Sequence, residues 1–210
     1  MAAPPEGPQE RLKREGVVLV PTALVDDRRR AETQQAFYQH IRDSPEFLNP
    51  DPENLHWKPS LGGFAGMGNP SSFHHPFVRK LREQMLATVL DADVLPLEGR
   101  SLEKVYDRLI FRNPGDTPGY ESMHRDEAET ALDGDVVLGG WVNLDDHVQY
   151  FSCAPRTHAE VGNQNKGFAR ITSPEEQAHY RARFQRIAIF PGYMIVFYER
   201  IVHEVLATTA

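Results

Sequence analysis

The first third of the chain alternates between short apolar runs and segments with helical spacing. The run 17–20 (Val-Val-Leu-Val), which lies between Gly16 and Pro21, predicts a short buried strand. Apolar positions three and four residues apart predict amphipathic helices over 26–42 and 77–86. Residues 43–75, rich in Pro, Gly, Asn and Ser, are predicted to form a long loop. Residues 1–12 show no apolar periodicity, so we expect a disordered N-terminal tail there.

The pattern changes after Leu102 to short strand-like runs separated by turn signals such as Asp133-Gly134-Asp135 and Pro191-Gly192. One helix interrupts these runs, because Ser173-Pro174-Glu175-Glu176 is a good helix start. The runs are 104–112, 120–126, 136–144, 148–153, 186–190 and 193–198. Helices followed by short strands favour an antiparallel double sheet over a parallel fold. We therefore predict a mainly β fold with flanking helices, a double-stranded β-helix (jelly roll) whose helices pack on one face, forming a single domain over 13–210.

Composition narrows the class of protein. The 210 residues include 40% hydrophobic side chains, enough for a core, and a net charge of -7 argues against a nucleic-acid partner. No apolar run has the length of a membrane span, so we expect none. Cys153 is the only cysteine, which excludes an internal disulfide and favours a reducing, cytoplasmic location.

His124 and Asp126 are two residues apart, so on a strand their side chains project to the same face. His203 follows a strand-like run and is predicted to add a third ligand from across the barrel. Two histidines and one carboxylate leave positions open on a metal, which is the arrangement of non-haem Fe(II) oxygenases. The alternative is a solvated acidic loop, since many carboxylates lie between Glu121 and Asp135.

An ordered series of short motifs surrounds these three residues. It consists of 16–21 (GVVLVP), 112–115 (RNPG), 141–146 (WVNLDD), 154–158 (APRTH) and 191–197 (PGYMIVF). The series resembles the phytanoyl-CoA dioxygenase-like family of Fe(II)/2-oxoglutarate oxygenases. The likeness covers most of residues 15–205. It departs from the family pattern in the degenerate 154–158 element and in Tyr193, which stands where the family has Asp.

The resemblance implies that Arg112, Tyr106 and Trp141 bind the co-substrate. Arg112 is the best internal candidate for the 2-oxoglutarate carboxylate, because relatives place a basic co-substrate ligand at that turn. An ordinary strand-end Arg112, and core roles for the two aromatic residues, are the alternatives. Relatives also carry an Arg after the distal His, but no basic residue follows His203 in this sequence. Three interpretations compete: the chain is truncated, the anchor for the co-substrate lies elsewhere, or the oxygenase activity is lost.

The predicted function is that of an Fe(II)- and 2-oxoglutarate-dependent dioxygenase that hydroxylates a small molecule or a protein side chain. The alternatives are a non-catalytic jelly-roll module and a cupin-like metal enzyme that does not use 2-oxoglutarate. Substrate specificity is expected in the loops 43–75 and 156–172.

Overall fold

The computed structural model describes residues 6–43, 66–67, 74–103, 109–110, 121–127, 131–132, 134–161 and 167–206. The helices are α1 (Pro8–Glu15), α2 (Asp27–Asp43), α3 (Pro76–Asp91) and α4 (Pro174–Arg181), with 3-10 turns at Ala23–Val25 and Thr157–Ala159. The strands are β1 (Val17–Pro21), β2 (Gly66–Met67), β3 (Leu109–Ile110), β4 (Glu121–Arg125), β5 (Leu138–Val142), β6 (Gln149–Ala154), β7 (Ala169–Arg170), β8 (Gln185–Ile189), β9 (Tyr193–Tyr198) and β10 (Val202–Val205).

The strands form two main antiparallel sheets and a short β2–β3 pair. One sheet has the order β1-β9-β5, and the other has the order β7-β4-β10-β6-β8. Neighbours in these sheets come from distant parts of the sequence: Val17 pairs with Phe197, and His124 pairs with His203. A mainly antiparallel β architecture with a few helices is therefore confirmed.

Apolar side chains from both main sheets form one buried cluster. Its members include Val17, Phe151, Cys153, Ile189, Ile195, Phe197 and Ile201, with Trp141 packed against them. The close approach of β5 to β9 requires glycine at Gly140, because a Cβ there would lie 2.2 Å from the Ile195 carbonyl oxygen. These apolar residues alternate with outward-facing ones along each strand, as the period of two requires.

Helices cover the outer side of each main sheet. Leu12 of α1 and Val89 of α3 pack with Val18, Val20 and Val196 of the smaller sheet. Next to the larger sheet, Tyr180 of α4 packs against a cluster with Met123, Ala154 and Val202. The prediction that the helices pack on one face is therefore wrong for α4. Ser173 caps α4, where its hydroxyl accepts a hydrogen bond from the Glu176 amide, and Pro174 follows it.

The predicted helices over 26–42 and 77–86 and the strand at 17–20 are confirmed. The prediction of a disordered tail over 1–12 is wrong from Pro8 onward. Helix α1 begins at Pro8 with Gly7 as its N-cap, and Leu12 is completely buried. Burial of Leu12 in the core and a 2.8 Å hydrogen bond from the Gln9 side chain to the Leu95 carbonyl stabilise a two-turn helix that would be marginal in isolation. Residues 1–5 lie outside the described ranges.

Within the described ranges, no helix combines the length and the apolar character needed to cross a bilayer.

Candidate metal centre

The two predicted histidine ligands lie opposite each other on neighbouring strands. His124 of β4 and His203 of β10 are direct antiparallel partners, so their side chains leave the sheet on the same face. Their ring centroids are 4.1 Å apart. Asp126 follows the end of β4, and its amide donates a 2.9 Å hydrogen bond to the Glu199 carbonyl. His203, the predicted third ligand, thus comes from the strand adjacent to β4 and not from across a barrel as predicted.

The three side chains converge on one point. Oδ2 of Asp126 lies 3.5 Å from Nε2 of His124 and 3.3 Å from Nε2 of His203, and the three donor atoms lie within 4.8 Å of one another. Two donors bound at about 2.1 Å to one ion are about 3.0–3.4 Å apart when the angle between the bonds is 90–109°. His124, Asp126 and His203 are therefore in place to bind a metal ion, as predicted.

Backbone carbonyls fix the orientation of both rings. Nδ1 of His124 donates to the Ser122 carbonyl at 2.6 Å, and Nδ1 of His203 donates to the Ile201 carbonyl at 3.0 Å. A proton on Nδ1 leaves the Nε2 lone pair available to a metal, as is usual for ligating histidines. Nε2 of His124 is buried and has no hydrogen-bond partner among the described residues. A bound cation would satisfy this buried atom.

The charges of the group suit a cation. Burial by itself would raise the pKa of Asp126, but the His124 and His203 imidazoles beside it outweigh burial and hold the pKa well below its usual range. Burial opposes protonation of His124, yet the neighbouring carboxylate and the Ser122 carbonyl raise its pKa overall. Burial, reinforced by the charge of Asp126, raises the pKa of Glu199. Asp126 is consequently ionised in the folded protein, as a carboxylate that binds a cation must be.

A β-bulge in β4 brings a further carboxylate to the same face. Val205 pairs with Glu121 where regular pairing would oppose it to Ser122, so β4 carries one extra residue here. The bulge turns Glu121 to the face of His124, and its Oε2 lies 3.6 Å from Nε2 of that ring. The sequence gives no signal for the bulge, and Glu121 was not among the predicted ligands.

Aromatic rings surround the two histidines. Phe168 stacks on His124 with ring centroids 4.1 Å apart, and Phe151 and Phe197 lie 5.4 and 5.7 Å from His203. Trp141 contacts Phe151 and Phe197 edge-on, and its indole N–H donates to Gln149 at 2.9 Å. These rings give the pair of histidines an apolar wall that limits access of water.

Arg125, between the two ligands of the H-x-D motif, braces the site from the opposite side of the sheet. It is 4% exposed and donates hydrogen bonds to the carbonyls of Thr157 at 2.7 Å and Arg200 at 2.5 Å, and to the Tyr180 hydroxyl at 3.1 Å. The Thr157 hydroxyl also accepts a 2.8 Å bond from the Val202 amide. The degenerate 154–158 element thus ties β4 to β10. Sequence reasoning missed Arg125, although its central position in H-x-D was a signal.

Two of the predicted co-substrate residues, Arg112 and Tyr106, lie outside the described residues. The strand predicted over 104–112 is described only at Leu109–Ile110.

Comparisons with known proteins identify similar folds but do not assign the chain to a family. No family profile matches the chain, and no curated protein matches its sequence. Among solved structures, the chain is similar to the epimerase SnoN, solved in complex with Fe3+, alpha-ketoglutarate and nogalamycin RO, with a TM-score of 0.60 and 18% identity. It is also similar to SnoK, a non-haem alpha-ketoglutarate-dependent carbocyclase from nogalamycin biosynthesis, with a TM-score of 0.56 and 18% identity. Each match covers 95% of this chain and 76% of the other.

Proposed function

We propose that this protein is an Fe(II)- and 2-oxoglutarate-dependent oxygenase with a jelly-roll fold, a more distant relative of the phytanoyl-CoA dioxygenase-like enzymes. The observation that carries the proposal is the convergence of His124, Asp126 and His203 from two paired strands. The same fold in two enzymes that use iron and alpha-ketoglutarate supports it. Two histidines and one carboxylate leave open positions on the metal, which this chemistry requires.

Each part of the site has a separate task. His124 and His203 would bind iron through Nε2 and Asp126 through its carboxylate, and the carbonyls of Ser122 and Ile201 hold the rings in place. When bound, iron and 2-oxoglutarate supply the oxidising power through activation of O₂, with release of succinate and CO₂. The rings around the histidines exclude water from the reacting groups.

Arg112 is our proposed anchor for the distal carboxylate of 2-oxoglutarate, because a guanidinium can bind a carboxylate with two hydrogen bonds. Tyr106 and Trp141 would line the same pocket. The substrate would be a small molecule that is hydroxylated at a C–H bond. Since the two structural neighbours are an epimerase and a carbocyclase, product analysis should also score stereoisomers and ring-closed products.

Metal binding tests the centre directly. Calorimetric titration of the purified chain with Mn(II) or Co(II) should show one ion per chain. His124→Ala and Asp126→Ala should abolish binding, because each removes one of only three protein ligands. His147→Ala is the matched control, since His147 is exposed and outside the group. Unchanged binding by the His124 and Asp126 variants would contradict the assignment.

Two alternatives to the oxygenase keep the metal centre but do not use 2-oxoglutarate. A cupin-like metal enzyme, or a non-catalytic metal-binding module, would need no 2-oxoglutarate anchor. Thermal unfolding separates these from the oxygenase. At 100 times its dissociation constant, 2-oxoglutarate should add about 2.7 kcal/mol beyond metal alone, a rise in Tm of about 5–11 °C for a chain of this length. A shift with metal but none with 2-oxoglutarate would favour the alternative. Succinate release would exclude the non-catalytic module.

A further inference from the structure

Strand β7 extends the face that carries the metal ligands. Arg170 of β7 pairs directly with His124, and Ala169 pairs with Arg125. Side chains of directly paired residues leave an antiparallel sheet on the same face. Arg170 therefore lies on the face of His124, whereas Ala169 shares the outer face with Arg125. Phe168, two residues before Arg170, returns to the metal side, as its stacking on His124 shows.

Phe168 presents a flat apolar surface beside the metal centre. One side of its ring stacks on the His124 imidazole at an interplanar angle of 29°, yet the residue is 45% exposed. A large aromatic side chain that is half-exposed next to a site with open coordination positions provides a surface on which a second ring can stack.

Arg170 supplies a positive charge at the same edge. Its guanidinium carbon lies 5.6 Å from the centre of the Phe168 ring, and the residue is exposed. Among the described residues it forms no ion pair, although seven other arginines of this acidic chain pair with carboxylates. These are Arg14, Arg28, Arg30, Arg125, Arg156, Arg181 and Arg183.

Backbone hydrogen bonds hold this edge on both sides. Gly167 and Glu127 exchange two bonds, of 3.1 and 3.0 Å, before Phe168. After Arg170, the Ile171 amide donates to the Met123 carbonyl at 2.9 Å. Phe168 and Arg170 are therefore fixed relative to β4 and to the metal ligand that β4 carries. A site held in this way loses little entropy when a ligand binds.

We propose that Phe168 and Arg170 bind the substrate, and that the substrate has an aromatic ring bearing a carboxylate. The ring stacks on the exposed side of Phe168, and the carboxylate accepts two hydrogen bonds from the Arg170 guanidinium. This arrangement would hold a C–H bond of the ring or its substituents beside His124, Asp126 and His203. The inference deepens the proposed function, since it names the substrate class of that site.

The test uses 2-naphthoate as the probe. Two control ligands are 2-naphthamide, which lacks the negative charge, and cyclohexanecarboxylate, which lacks the aromatic ring. Dissociation constants are measured by NMR titration of the full chain, both metal-free and Zn(II)-loaded, so that binding of the carboxylate to the metal is recognised. Arg170→Gln should weaken 2-naphthoate at least tenfold and leave 2-naphthamide nearly unchanged, while Arg170→Lys should recover part of the affinity. Phe168→Leu should weaken 2-naphthoate more than cyclohexanecarboxylate.

The same sheet offers a matched control at its other edge. The Arg186 guanidinium lies 3.8 Å from the centre of the Tyr150 ring, and both residues are exposed. Tyr150 and Arg186 alternate with the inward-facing Phe151 and Ile187, so this pair lies on the outer side. Arg186→Gln should leave 2-naphthoate affinity unchanged. Equal effects of Arg170→Gln and Arg186→Gln, or none from Arg170→Gln, would overturn the proposal.

Replacement of Zn(II) by Co(II) locates the bound 2-naphthoate by a second, independent measurement. Paramagnetic relaxation of the 2-naphthoate protons should be strong with Co(II) and absent with Zn(II), and Arg170→Gln should reduce it at fixed probe concentration. Bound probe without relaxation in Co(II)-loaded protein would place it elsewhere and refute the inference while the metal centre stands. If the chain binds no Co(II), the proposed function fails, but the metal-free titrations still decide whether the Phe168–Arg170 subsite exists.

Discussion

Replacing Arg125 by methionine tests whether the outer side of β4 controls the metal centre on its inner side. Methionine has an unbranched apolar side chain, but it lacks the hydrogen-bond donors of the guanidinium. The carbonyls of Thr157 and Arg200, held at 2.7 and 2.5 Å, would both lose a charge-assisted hydrogen bond. A hydrogen bond from a charged group contributes about 1.5–3 kcal/mol, so loss of the two together costs about 3–6 kcal/mol.

Removal of the buried guanidinium offsets part of this cost, because the charge no longer has to be desolvated. We therefore expect the free energy of unfolding to fall by about 3 kcal/mol, which lowers Tm by about 6–12 °C at roughly 2–4 °C per kcal/mol. Arg200 lies three residues before His203, so loss of its bond also removes a side-chain tie between β4 and the segment that leads into β10, while the backbone pairing of the two strands remains. Metal affinity should consequently fall about tenfold in protein that is still folded.

Circular-dichroism melts of metal-free protein measure the first effect, and calorimetric Mn(II) titration at 15 °C measures the second. Arg186→Met is the control, since it removes an exposed guanidinium from the same sheet and should change neither quantity. A Tm within 2 °C of the unaltered chain, together with unchanged Mn(II) affinity, would refute the bracing role of Arg125. Lower stability with unchanged Mn(II) affinity would limit Arg125 to a purely structural role.

Three further outcomes follow from buried groups. Gly140→Ala should destabilise the fold by several kcal/mol in chemical denaturation, because the new Cβ meets a main-chain carbonyl at 2.2 Å. Gly7→Ala, which has open space around it but removes the N-cap glycine of α1, should cost about 1 kcal/mol or less. Burial lowers the pKa of His158 below its ordinary value of 6.5, so protonation favours the unfolded chain and the free energy of unfolding should fall as pH drops below about 6.5. His158→Gln should flatten that part of the profile in urea titrations at pH 5–8, and an unchanged slope would count against the assignment. Burial raises the pKa of the Cys153 thiol to about 12, so a thiol reagent at pH 8 should label it only in denaturant; rapid labelling of folded protein would contradict its burial.

Local patterns in the sequence predicted much of the fold. The helices over 26–42 and 77–86 and the strand at 17–20 depend on periodicities of 3.6 and 2 that any short segment displays. The same holds for His124 and Asp126, because a two-residue spacing on an extended chain places both side chains on one face. Helix α1 was missed, since its stability comes from the burial of Leu12 against residues far along the chain.

The sequence by itself identified His124, Asp126 and His203 as the three candidate ligands, together with the motifs around them. Only the tertiary structure decided that β4 pairs with β10, that a bulge turns Glu121 toward His124, and that Arg125 is buried beneath the site. It also decided that Phe168 and Arg170, within a segment predicted to be a loop, form a strand edge beside the metal ligands. The physical reason is that strand pairing and register depend on packing between residues many positions apart, whereas the side-chain alternation that a sequence reveals is a property of neighbours.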